Sequence, residues 1–107
     1  MPHIRLRNVD PDFVRSRAST LVDRLTAAVG CERSWFTVEI LVTTPIDTGL
    51  GDEARPFAEV LWFRRPIEIR KLVATILTEE LRGDADYLTT VFFDLVDGDY
   101  FENGEAV

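Results

Sequence analysis

The chain begins "MPHIRLR", and its second residue is the first that could do chemistry. Within a chain the proline nitrogen is an amide. With Met1 removed, Pro2 becomes a secondary amine. The α-amino reference pKa is roughly 7.7–8.0, and desolvation lowers it by disfavouring the ammonium form. Such an amine can take a proton from carbon near neutral pH, or add to a carbonyl. The competing reading of Pro2 is a rigid start to a strand. A second group is the arginines: of twelve basic residues only Lys71 is not Arg. The guanidinium fork suits carboxylates, although genome base composition produces the same bias. Cys31 and His3 are the sole residues of their types. They exclude an intramolecular disulfide and give no structural zinc site. Cys31 reads as an inert small side chain, with no histidine placed near it by sequence.

These residues need a frame. At 107 residues the chain is one domain, residues 1–107, and 46% hydrophobic content supports a core. Seven Phe, two Trp and two Tyr are a heavy ring load for that length. A net charge of −7 argues against nucleic acid and anionic membranes as partners. The N-terminus alternates charge and lacks the apolar run of a signal peptide, and no stretch approaches the ~18–20 apolar residues of a membrane span. A reducing, cytoplasmic location is expected.

"HIRLR" (3–7) alternates, with Ile4 and Leu6 on one face. Asp10 and Pro11 are an N-cap and a first helical residue, apolar residues from Phe13 to Val29 recur at helical spacing, and Gly30 follows. A helix over 11–29 results. Residues 35–43, 57–63 and 88–95 read as strands and 66–82 as a second helix, with Gly83 just past its end. The stretch 44–56, with two Pro and two Gly, reads as a long loop. Residues 96–107 read as a turn and a closing hairpin. The pattern is βαβ, loop, βαβ, with halves of about 1–43 and 57–95. The right-handed crossover rule makes the strands of each half parallel. The expected fold is α+β: a four-stranded mixed sheet with both helices on one face.

On the first face Phe36, Val38, Ile40 and Val42 join Ile4 and Leu6. The second face is mixed. It carries His3, Arg5, Arg7, Glu39 and Glu59 together with Leu41, Leu61, Phe63 and Phe92. Arg5 and Arg7 are expected to pair with Glu39 and Glu59, since buried charges must be paired. A face so apolar and so charged suits an oligomer interface.

The stretches "MPHIRLRNV", "LTAAVG" before "FTVEIL", "RPFAEVLWF" and "FFDLVDGDYFENG" resemble the tautomerase superfamily in order and spacing over nearly the whole chain. That superfamily includes macrophage migration inhibitory factor, 4-oxalocrotonate tautomerase and 5-carboxymethyl-2-hydroxymuconate isomerase. "FAEVLWF" and "YFENGE" are similar in particular to an uncharacterised bacterial branch. The resemblance implies a homotrimer, strand order 2-1-3-4, and a cofactor-free keto–enol chemistry in which the N-terminal proline moves protons. It implies Pro2 as general base acting on small 2-oxo or enol carboxylic acids. Pro2 would face the end of the third strand, where Arg64 or Arg65 could hold a substrate carboxylate. The start of the second strand adds Arg33 as a further candidate, and Trp35 or Trp62 as an apolar wall. Arg64 and Arg65 also read as solvated residues before a helix. His3 would point into the subunit interface, and Asn103 reads as a turn residue. The lysine that factor-like members carry after the first helix is Cys31 here, and their last-strand tyrosine and asparagine fall near Thr89 and Val91. A trimeric protein with a binding or structural role is the alternative to an enzyme.

Overall fold

The structure is a computed structural model that describes residues 1–49 and 55–107. β1 (His3–Arg7) is followed by α1 (Pro11–Val29), β2 (Thr37–Ile40), β3 (Phe57–Trp62), α2 (Ile67–Leu81) and β4 (Thr89–Asp94). A two-stranded hairpin, β5 (Phe101–Glu102) and β6 (Glu105–Ala106), closes the chain. The sheet order is β2-β1-β3-β4. β1 runs parallel to β2, β3 parallel to β4, and the central pair β1–β3 is antiparallel. Both halves are therefore βαβ units joined back to back at the sheet centre.

Local signals set α1. The Asp10 carboxylate accepts from the Asp12 amide at 3.1 Å, and Pro11 occupies the first turn, where its missing N–H costs nothing. Gly30 ends the helix at φ 76°, a left-handed conformation that lets its amide reach the Thr26 carbonyl. Side-chain parity then builds the core. Across the sheet Val38, Ile4, Val60 and Phe92 form one row, and Ile40, Leu6, Ala58 and Thr90 the next. These rows pack beneath Val14, Leu21 and Leu25 of α1 and Val73, Ile76, Leu77 and Leu81 of α2. Arg24 of α1 ties the two helices together through Glu79 at 2.9 Å and Glu80 at 3.7 Å.

Four expectations change. Phe92 lies on the helix side, since the parallel register sets it beside buried Val60, and it stacks on Trp62 at 4.9 Å. Its neighbour Phe93 takes the other face and is half exposed. The second strand is shorter than 35–43. Trp35 belongs to a single 3₁₀ turn, Arg33–Trp35, and the strand stops at Ile40. After one more bond, Leu41 amide to Leu6 carbonyl, its partner runs out, because Asn8 turns β1 away at φ 61°. Val42 is consequently 99% exposed rather than core. The charges also pair differently. Arg5 and Arg7 both bind Glu59, at 2.7 and 2.6 Å, while Glu39 accepts from His3 at 2.9 Å. The expected loop 44–56 falls partly on residues 50–54, outside the described residues; residues 41–49 hold no helix or strand.

Candidate functional site

Pro2 sits one residue before β1 and shares the parity of Ile4 and Leu6, so its ring joins the helix-covered face. It is fully buried, under 2% exposed. Its carbonyl accepts from the Thr37 amide at 3.3 Å, which anchors it to the start of β2. On its other side the register that pairs His3 with Leu61 brings Pro2 opposite Trp62. Directly opposed residues on one face have Cβ atoms about 4.5–5.5 Å apart. Trp62 in turn neighbours Asp94 on β4. Pro2, Trp62 and Asp94 thus form a third row, at the end of the sheet where β1 begins and β3 ends.

Trp62 is fully buried, and its indole Nε1 has no hydrogen-bond partner among the described residues. The Arg65 guanidinium lies over the ring, 5.3 Å from its centroid. Arg65 reaches there because Pro66 starts α2 directly after it. One Nη1 bond to the Phe63 carbonyl at 2.5 Å, and the bond its own carbonyl accepts from Arg70 at 3.1 Å, hold it in place. Arg64 occupies the same end but points to Asp94, with Nη1 to Oδ2 at 3.6 Å, and is mostly exposed. Arg33 is held on α1, with Nε to Asp23 at 2.9 Å and Nη2 to Ser19 at 3.4 Å. Trp35 is half exposed, two residues before the Thr37 amide that bonds Pro2.

The structure therefore gathers Pro2, Trp62 and Arg65 at one place, with Arg64 beside them. It turns Arg33 toward α1. The orphaned indole was not legible from sequence. The cross-strand pairing of Pro2 with Trp62 depends on the β1–β3 register, which the parity of "FAEVLWF" restricts without fixing.

The opposite sheet face carries a separate charged cluster. Glu59, with its side chain only 8% exposed, accepts from both Arg5 and Arg7. The Arg7 guanidinium also lies 4.4 Å above the Phe57 ring. His3 uses both ring nitrogens, Nδ1 toward Thr37 Oγ1 and Nε2 toward Glu39. Arg5 and Arg7 thus share the single Glu59 carboxylate, and His3 faces Glu39, all within the subunit. A cavity of about 710 Å³ opens at the far end of the sheet, between Asn8–Phe13 and Arg82–Ala85, and shares no residue with the Pro2 cluster. No group of His, Cys, Asp and Glu suited to a metal ion occurs among the described residues.

Residues 1–106 match the family described as a domain of unknown function, DUF1904. The chain belongs to that family. A DUF1904 crystal structure from Sebaldella termitidis is 36% identical, covers both chains fully and superposes with a TM-score of 0.89. A protein of unknown function from Vibrio cholerae is 31% identical, with 99% of this chain and 87% of that one covered, at a TM-score of 0.88. Macrophage migration inhibitory factor from Toxoplasma gondii is 13% identical over 99% of this chain and 100% of that one, with a TM-score of 0.73. At that identity the likeness concerns the fold alone. The DUF1904 chain thus has the fold of the tautomerase superfamily. No curated protein matches the sequence significantly.

Proposed function

We propose that this DUF1904 protein is a cofactor-independent tautomerase or isomerase of small 2-oxo or enol carboxylic acids, with Pro2 as general base once Met1 is removed. The observation that carries this reading is the burial of Pro2 at the sheet centre beside Trp62 and Arg65. A free amine here would be desolvated by the core and would sit near a guanidinium. Both effects disfavour the ammonium form and leave a neutral base at cellular pH. Arg65 is the leading clamp for the substrate carboxylate. It is the candidate arginine with no carboxylate partner among the described residues, whereas Arg64 and Arg33 face Asp94 and Asp23. Trp35, half exposed near the start of β2, is the further candidate for an apolar wall. The working unit in this reading is a cytoplasmic homotrimer, in which other subunits cover the mixed sheet face on the side of the sheet away from Pro2.

The second reading, an inactive trimer with a binding or structural role, draws on the same ion pairs. With Arg64 and Arg33 occupied, the site has fewer free cations than the sequence suggests.

Intact mass spectrometry and an enolpyruvate ketonisation assay separate the two. The enzyme reading expects the chain without Met1, and a rate lowered about 10²–10⁴-fold in Pro2→Ala, the span of a general base. Retained Met1, or full activity in Pro2→Ala, would sink it.

A further inference from the structure

A buried indole N–H with no acceptor is an expensive feature. A buried donor left without an acceptor loses its hydration with nothing in return, and native proteins rarely carry one without a reason. Trp62 is such a case: it is fully buried and its Nε1 is unpartnered. Its surroundings explain why no internal group satisfies it. The ring stacks on Phe92, which is apolar. Arg65, whose guanidinium lies 5.3 Å from the ring centroid, offers only donors from its side chain. Pro2, its cross-strand neighbour, has an amide nitrogen with no lone pair to offer while Met1 remains. The nearby oxygens are engaged elsewhere, the Asp94 carboxylate with Arg64 and the Phe63 carbonyl with Arg65, so the indole N–H is left without an acceptor among the described residues.

We propose that the Trp62 indole N–H is the donor that receives the C2 oxygen of a 2-oxo or enol carboxylic acid bound over Pro2, while Arg65 takes its carboxylate. The inference rests on the general-base reading of Pro2 and adds the group that stabilises the charge produced. In the forward step the Pro2 nitrogen takes a proton from C3 of the substrate. The C3–H electron pair becomes the C2=C3 double bond, and the carbonyl pair moves onto the C2 oxygen. The indole keeps its proton and donates a hydrogen bond to that oxygen as its charge grows. Passing that same proton from the Pro2 ammonium to the C2 oxygen completes the enol, and in ketonisation Pro2 takes it from the enol hydroxyl and returns it to C3, with no other reactant. A fixed donor shielded from water acts more strongly on the charged state than on the ketone, so the effect falls mainly on kcat.

The experiment uses oxalate, an unreactive planar mimic of an enolate carboxylate. Binding to ¹⁵N-labelled protein is followed by calorimetry and by the two indole N–H signals. The Trp62 signal is the one missing in Trp62→Phe. If that variant does not fold, it is the one remaining in Trp35→Phe. The expected result is a downfield shift of the Trp62 signal at saturation. In Trp62→Phe, kcat for enolpyruvate ketonisation should fall by about ten- to a hundred-fold, below the roughly 10²–10³ of the strongest oxyanion donors. KM and the pH profile should change little, since Pro2 still sets the proton transfer. An unmoved Trp62 signal at saturating oxalate, the absence of oxalate binding, or an unchanged kcat in Trp62→Phe would overturn the proposal and point to an ordered water on the indole. Failure of the base reading is distinct. If Met1 is retained or Pro2→Ala stays active while the indole shifts, Trp62 is a ligand donor at a site without proline chemistry.

Discussion

Replacing Glu59 by glutamine tests how the mixed sheet face is held. Its carboxylate is 92% removed from solvent and accepts from two guanidinium groups, at 2.7 and 2.6 Å. At an effective dielectric near 20, two unit charges about 4 Å apart attract by roughly 4 kcal/mol. Against the two attractions stands a desolvation cost of several kcal/mol for the carboxylate. Water also screens both arginines, each about one-third exposed. As a unit the triad is close to break-even with an apolar replacement. Its disruption is asymmetric, because losing only the anion leaves two adjacent cations without their acceptor. A fully buried pair broken this way costs about 3–5 kcal/mol. Partial solvation of the arginines lowers the expectation here to about 2 kcal/mol. With a urea slope of roughly 1–2 kcal/mol/M for a small domain, the unfolding midpoint should drop by about 1–2 M at unchanged slope. Protein concentration must be held fixed, since an oligomer's stability depends on it. Adding Arg5→Met to Glu59→Gln removes one uncompensated charge and should restore at least half of the loss. A Glu59→Gln midpoint equal to wild type, or no recovery in the double variant, would refute the view that charge balance secures this face.

Light scattering should return about 37 kDa, three copies of the 12.2 kDa chain; a monomer would contradict the reading of the charged face as an interface. Tyr100 should ionise above the ordinary tyrosine value of about 10. Its hydroxyl donates to Glu102 at 2.8 Å, and the hydrogen bond, burial and the Glu102 charge all favour the neutral phenol, the hydrogen bond most. Absorbance at 295 nm in a Tyr87→Phe background should show Tyr100 moving down toward about 10 on Glu102→Ala. By linkage, the contact's contribution is complete at neutral pH and is lost only as pH rises through the elevated value.

What could be read from the sequence follows how far each signal reaches along the chain. The bounds of α1 rest on Asp10, Pro11 and Gly30, all within a residue of the helix ends, and the expectation of 11–29 holds. The parallel direction within each half holds by the crossover rule, and the order β2-β1-β3-β4 with its antiparallel centre holds as the family resemblance implies. What failed depended on a partner. The end of β2 is set by where β1 turns at Asn8, thirty-odd positions earlier. The face taken by Phe92 is set by its register against Val60. Glu59 rather than Glu39 collects both arginines because β3 lies beside β1 at Arg5 and Arg7 alike, while His3 claims Glu39.

The same distinction governs the candidate site. Residue type alone marks Pro2, Arg33, Arg64 and Arg65 equally as reagents or ligands. Geometry divides them. Arg33 is drawn to α1 by Asp23, and Arg64 toward β4 by Asp94, so each already neutralises a charge of its own subunit. A substrate carboxylate would have to displace those partners, at the loss of an existing contact. Arg65 faces no such competitor: its bond goes to a backbone carbonyl, and a guanidinium has five N–H donors to share. Because its position is fixed by Phe63 and by the turn into α2, its entropy is largely spent before any ligand arrives. A carboxylate that binds here gains a pre-placed cation, next to the proline whose nitrogen would do the chemistry and the indole whose N–H has no partner among the described residues.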